Sequence, residues 1–213
     1  METLSGPRRS AKSGTAKALI VLLHGYGADG NDLISLADVL APTFPSAAFF
    51  APHAPGFTPM GGREWFPLVK LSPAECEAGV EAAAPKLHAA LDEELARHGL
   101  GNADLALVGF SQGTMMALHV GLSRPEPVAG IVGFSGMLAK DAAATAPAPV
   151  LLVHGTADQV IPAQATMQAA HALGAQEVPV EWHMCPGLAH GIDEAGLSMA
   201  RGHLARILGA ART

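Results

Sequence analysis

The stretch "LALVGFSQGTMMAL", residues 105–118, decides how the chain reads. A strand-like run, 105–108, leads into Gly-Phe-Ser-Gln-Gly, and helix formers follow at once. G-x-S-x-G between a strand and a helix predicts a tight turn with Ser111 at its tip. Such a turn strains the backbone and pushes the hydroxyl outward. Gly109 and Gly113 would remove the Cβ atoms that collide where strand and helix pack closely. The helix N-terminus also sets unpaired N–H groups and a positive dipole end beside Ser111, which favours negative charge there. The plainer reading is a glycine-rich turn with a serine N-cap, in a chain of 24 glycines. The rest of the chain has to decide between them.

Outward from this stretch, short apolar runs alternate with amphipathic segments. Strands are predicted at 18–23, 47–51, 105–108, 128–134, 150–154 and 178–184. Most are continuously apolar, as strands covered on both faces must be. Helices are predicted at 31–41, with Leu33, Leu36, Ala37 and Leu40 on one face and Pro42 as the stop, and at 73–98. The second opens with a capping box, Ser72 and Glu75 with Pro73 at N1, and closes at Gly99; Pro85 should kink or divide it. Further helices are expected at 163–173 and 193–208. Strands alternating with helices give an α/β domain with a mainly parallel central sheet and helices on both faces. Residues 1–16 read as a flexible N-terminal arm, with room for an edge strand, and 17–213 as the single domain.

Ligands of such a sheet bind outside the carboxyl ends of its strands. A nucleophilic serine needs a base there, and the base needs an orienting acid, in the order Ser, acid, His. Asp158 follows the buried run 150–154, and His190 lies in the loop "CPGLAHGI" after the next strand. Other carboxylates fit less well: Asp141 lies in an alanine-rich segment, and Asp193 reads as the N-cap of the last helix. His154, at a strand end beside Gly155, reads as a buried hydrogen-bonded side chain. The ten histidines show no metal-ligand spacing, so no metal and no cofactor is expected. Acyl transfer also needs donors for a tetrahedral oxyanion. The backbone N–H of Gln112 is one candidate; that of Tyr26, in the glycine-rich loop of "LLHGYGADG" (22–30), is the other. On the plainer reading that loop is a flexible turn, with His24 merely bracing it.

The bulk composition excludes several classes. The chain has 213 residues, 49% apolar and 15% charged, which suits one globular domain. A net charge of −6 leaves no basic stripe for nucleic acid. Arg8-Arg9 hints at a twin-arginine export signal, but "KALIVLL" is too short for a signal core and is needed as a strand. No apolar run approaches the roughly 18 residues of a membrane span. Two distant cysteines, Cys76 and Cys185, read as unpaired thiols of a reducing compartment, which makes a cytoplasmic protein the expectation. A homodimer is compatible with these features but is not read from them.

Taken in order, "LLHGYGAD", "GREWF", "GFSQG", "HGTADQVIP" and "GLAHGI" resemble the phospholipase/carboxylesterase branch of the α/β-hydrolases, from about residue 18 to 208. The resemblance implies a Ser111–Asp158–His190 triad and an oxyanion hole from the N–H groups of Tyr26 and Gln112. It implies a serine carboxylesterase for small-molecule esters of short to medium chain length. The alternatives are an acyl-protein thioesterase or a lysophospholipase, and, from another class, a non-catalytic binding protein of the same fold. A lactone hydrolase of related fold with a cysteine nucleophile is disfavoured by the serine at 111. Pro67 stands where relatives often carry an acid, and Tyr26 where many carry leucine, so substrate identity is less constrained than reaction type. Only "MLAKDAAATAPAP" separates Gly136 from the next strand, too little for a cap domain. The acyl groove is therefore expected from the aperiodic loop 52–72, through Phe57, Met60, Trp65, Phe66 and Leu71, with Val160 and Ile161 opposite. Trp65 and Phe66 could equally serve to anchor that loop on the core.

Overall fold

The continuously apolar runs fold as strands sandwiched between helices. The computed structural model describes residues 3–140 and 144–210. In chain order these form β1 (Arg8–Arg9), β2 (Ala18–Leu23), α1 (Gly30–Leu33), α2 (Ser35–Leu40), β3 (Ala47–Phe50), β4 (Gly56–Phe57) and β5 (Arg63–Glu64). There follow α3 (Pro73–His98), β6 (Leu105–Phe110), α4 (Gln112–Leu122), β7 (Gly130–Phe134), β8 (Val150–Gly155), α5 (Gln164–Ala175), β9 (Val180–Cys185) and α6 (Glu194–Ala210). Among the described residues, seven strands form one sheet in the order β1-β3-β2-β6-β7-β8-β9, parallel except for β1.

Because side chains alternate along a strand, one run feeds two cores. Leu19, Val21 and Leu23 of β2 pack with Leu105 and Leu107 of β6 beneath α3, α4 and α5. Ile20 and Leu22 point the other way, with Ala106 and Val108, against α2 and α6. Cys76 and Cys185 are free and buried, and they sit in opposite cores.

The strand order makes the site. From β2 the chain runs outward to β3, then crosses back to β6 and continues to β9. After β2 it enters α1 and α2 on one face; after β6 it enters α4 on the other. The loops leaving two neighbouring strands therefore diverge, and a crevice opens at this switch point.

Some expectations need correction. The helix expected at 31–41 is two short ones that meet at Ile34. Pro85 does not divide α3, whose buried stripe of Val80, Ala84, Leu87 and Leu91 holds it as one helix from Pro73 to His98, capped by Ser72 and Gly99. Half of its capping box forms: the Ser72 hydroxyl accepts from the Glu75 N–H. The Glu75 carboxylate turns instead to the N–H groups of Val69 (2.7 Å) and Lys70 (3.0 Å). The N-terminal segment packs on the domain, and the edge strand for which it had room forms as β1. Leu4 and Ala11 are buried, β1 pairs with β3, and Arg8 lies 4.2 Å over the Phe50 ring while bound to Glu94. Only residues 135–149 lie between β7 and β8, and Asp141 falls outside the described residues. Among those residues no helix is long and apolar enough to cross a membrane.

Candidate active site

Ser111 sits between the end of β6 and the start of α4 with φ 54° and ψ −118°, a conformation L-residues rarely adopt. The turn is held from several sides. The Ser111 N–H donates to the Phe134 carbonyl of β7 (2.9 Å), and the Thr114 hydroxyl donates to the same oxygen (2.9 Å). A Cβ at Gly109 would strike the Gly113 carbonyl, and one at Gly113 would strike the Leu23 carbonyl at the end of β2. The two glycines thus let strand and helix close on each other and on the neighbouring strand. Strain at one serine, enforced by its surroundings, is the pattern of a functional residue.

The loop after β2 lies directly against this turn. A Cβ on Gly25 would approach the Ser111 Cβ to 3.2 Å. His24 is fully buried and braces the loop: its Nδ1 lies 2.8 Å from the Gly25 carbonyl, and its Nε2 accepts from the Ala54 N–H (3.0 Å). These partners fix the neutral tautomer with the proton on Nδ1. Burial, the largest influence, lowers the His24 pKa despite the carbonyl bond that favours the charged form. Among the described residues, no acceptor is paired with the backbone N–H of either Tyr26 or Gln112.

Asp158 and His190 meet because their strands are neighbours. β8 and β9 pair in register up to Gly155 and Cys185, and the loops beyond are joined by the Ala157 N–H donating to the Leu188 carbonyl (2.9 Å). His190 Nδ1 then lies 2.8 Å from Asp158 Oδ2, with the imidazole 19% exposed and the carboxylate side chain fully buried. Asp158 Oδ1 accepts from the N–H groups of Val160 (2.8 Å) and Ile161 (3.0 Å). Burial pushes the Asp158 pKa up, but the His190 bond and the two backbone donors outweigh it, and the net shift is downward. The acid is held ionised. Phe110, the residue before Ser111, brings its ring to 5.0 Å from the His190 imidazole, so the pair stands beside the turn.

A second imidazole backs the same acid. His154 Nε2 is 3.1 Å from Asp158 Oδ2 and 2.9 Å from the Ile161 carbonyl, while Nδ1 is 2.7 Å from the Thr166 hydroxyl. It is wholly buried, with no face toward the crevice. Asp193 caps α6 by accepting from the Gly196 N–H (2.7 Å), as its position predicted.

A cavity of about 360 Å³ opens on Ser111, lined among others by Tyr26, Leu68, Val69, Leu71 and Met115, with Val160 and Ile161 opposite. Of the residues expected to form the acyl groove, Leu71, Val160 and Ile161 are therefore in place. Phe57, Met60, Trp65 and Phe66 are not among its walls. Phe57 is exposed on the β4–β5 hairpin under the Arg63 guanidinium, and Met60 at its tip is 95% exposed. Trp65 and Phe66 are buried, Phe66 packing on Gly79 of α3, so they anchor the loop. The walls come instead from Leu68 to Leu71, held in place by Glu75.

Sequence reasoning also missed Ser135. At the end of β7, also with positive φ (47°), its hydroxyl donates to the Gly191 carbonyl (3.1 Å) and so steadies the His190 loop. The signal was present as "GFSGM", a second serine at a strand end. The Gln112 side chain was missed altogether. Among the described residues no group of three His, Cys, Asp or Glu side chains could hold a metal ion.

Comparison with known proteins places the chain in a family. Residues 7–208 match the family model described as Phospholipase/Carboxylesterase. Esterase YpfH of Escherichia coli (strain K12) is 30% identical over 200 residues, covering 89% of this chain and 82% of that protein. Acyl-protein thioesterase 1 of Schizosaccharomyces pombe is 31% identical over 159 residues, 68% of this chain and 70% of its own. The crystal structure of esterase PE8 superposes with a TM-score of 0.94 at 43% identity, covering 97% of this chain and all of that one. With the family pattern running almost end to end on a parallel sheet of this topology, the chain belongs to the phospholipase/carboxylesterase family of α/β-hydrolases.

Proposed function

We propose that the protein is a serine carboxylesterase acting on small esters through an acyl-enzyme. The observation that carries this reading is the Asp158–His190 pair at 2.8 Å, standing beside a strained Ser111 at the mouth of an apolar cavity. Ser111 Oγ attacks the ester carbonyl as His190 Nε2 takes its proton. Asp158 holds the Nδ1 proton in place, which leaves the Nε2 lone pair free, and stabilises the imidazolium that forms. The carbonyl electrons move onto oxygen, where the N–H groups of Tyr26 and Gln112 stabilise the charge. One such donor is worth about 3–4 kcal/mol. Collapse expels the alcohol, protonated by His190, and water releases the acid by the same steps in reverse.

A cavity of about 360 Å³ lies toward the small end of ligand pockets, which supports short to medium acyl chains. Two free buried thiols fit the cytoplasmic location expected from the sequence. The named esterase relatives support ester over thioester. Turnover of p-nitrophenyl esters from acetate to palmitate, run beside a palmitoyl thioester, tests both points. Activity peaking below decanoate, weak on the thioester and abolished in Ser111→Ala, is the expected result. A preference for the palmitoyl thioester would make the protein an acyl-protein thioesterase.

A further inference from the structure

The two oxyanion donors of the proposed mechanism come from loops far apart in the chain, and the structure contains one segment bound to both. Residues 63–66 lie across them. On the side of the β2 loop, the Gly27 N–H donates to the Arg63 carbonyl (2.8 Å) and the Arg63 N–H donates to the Ala28 carbonyl (3.0 Å). The Trp65 indole Nε1–H donates to the His24 carbonyl (2.9 Å), two residues before Tyr26. On the side of the Ser111 turn, the Gln112 side chain is almost wholly buried and is spent on this segment. Its Oε1 accepts from the Trp65 N–H (2.9 Å) and its Nε2 donates to the Phe66 carbonyl (2.7 Å). A primary amide satisfied from both ends has one orientation, and so does an indole held at both its ring and its main chain.

We propose that Trp65 and the Gln112 side chain are positioning residues that together set the separation of the Tyr26 and Gln112 N–H groups. Neither side chain touches substrate. They act through the backbone, by fixing the distance between two donors that must converge on one oxygen. This explains why a large buried aromatic stands in a loop that otherwise supplies the cavity wall, and why a buried glutamine faces it from the first turn of α4. It also accounts for the residue after the nucleophile being a long amide, although chemistry there asks only for its N–H.

The inference rests on the serine-esterase reading, and the test separates the two. Trp65→Phe keeps the ring and removes the Nε1–H; Gln112→Met keeps the length and removes both amide bonds. For each, active sites are titrated with a fluorophosphonate so that kcat refers to competent enzyme alone. A trifluoromethyl ketone is then used as the probe of the hole. Its carbonyl carbon takes Ser111 Oγ, the hydroxyl proton passes to His190, and its oxygen becomes the anion that the two donors bind. The expected result is a fall of roughly 10–100-fold in kcat per titrated site with KM within about 2-fold. A placement error costs this much when donors must meet a developing charge. The inhibition constant of the ketone should rise by the same factor as kcat/KM falls. A merely structural role would lower the titrated fraction and leave kcat per site and ketone affinity unchanged, and that outcome would overturn the inference. Should Gln112→Met not fold, Trp65→Phe decides alone. Failure of the underlying reading looks different: wild-type protein would turn over ester without being labelled or inhibited by the ketone.

Discussion

The strand ends at β8 and β9 and the segment 52–72 that crosses in front of β2 and β6 are built on opposite principles. In the first, position follows from register: paired strands deliver Asp158 and His190 to within 2.8 Å, and short loops leave them little choice. In the second, regular structure is confined to the two-residue strands β4 and β5, and position follows from single long-range bonds such as Trp65 to His24 and Gln112, or Glu75 to Val69 and Lys70. The fold thus fixes the proposed proton relay through its sheet and the cavity wall through individual side chains. Substitutions at the strand ends should therefore change chemistry, and those in the crossing segment should change geometry or selectivity.

The largest expected effect is at the acid. Asp158→Asn should lower kcat by roughly 10⁴-fold, since the amide favours the wrong imidazole tautomer. Near-normal turnover in steady-state assays would mean the relay uses another carboxylate. A smaller effect is expected at the cavity. Val160 is exposed at its rim, so Val160→Trp should fold normally while filling the cavity. We expect kcat/KM for an octanoyl ester to fall about 10-fold or more and that for acetate to change little, in line with what one to a few methylenes are worth in an apolar pocket. Equal losses at every chain length would move the acyl site elsewhere. The smallest effect is expected at the hairpin tip, where Met60→Ser should leave the chain-length profile of wild type intact.

How much of this was legible in the sequence divides along the same line. Strands covered on both faces must be continuously apolar, and the runs at 18–23 and 150–154 coincide with β2 and β8 to within a residue. Ser72 and Gly99 marked the ends of α3 because caps are local chemistry. The glycines around Ser111 were legible for the same reason. Trp65 and Phe66 were not, because an apolar side chain in an aperiodic loop can face a ligand or the core, and nothing within the loop decides which. That choice belongs to Gln112, distant in the chain. Pro85 did not divide α3 because the apolar stripe on either side of it holds the two halves on one core.

Acidification separates the regions once more. His24, His88, His119 and His203 are all held below the ordinary imidazole pKa, with burial the largest cause. Each binds its proton more readily unfolded, so stability should be fully present above about pH 6.5 and decline as pH falls below it. For His24 the lost bond is the one from the Ala54 N–H, in the crossing segment. The depressed Asp158 pKa adds a loss only in the carboxylate range, at lower pH. Urea midpoints from pH 8 to 5 should show the decline beginning at the upper step; a flat or rising profile would contradict it.

Labelling by a fluorophosphonate, followed by peptide mapping, reads the proposed nucleophile itself. A single adduct is expected on the peptide that carries Ser111, formed quickly in wild-type protein and almost not at all in His190→Ala. An adduct on a different residue, or ester turnover that survives with Ser111 unmodified, would contradict it.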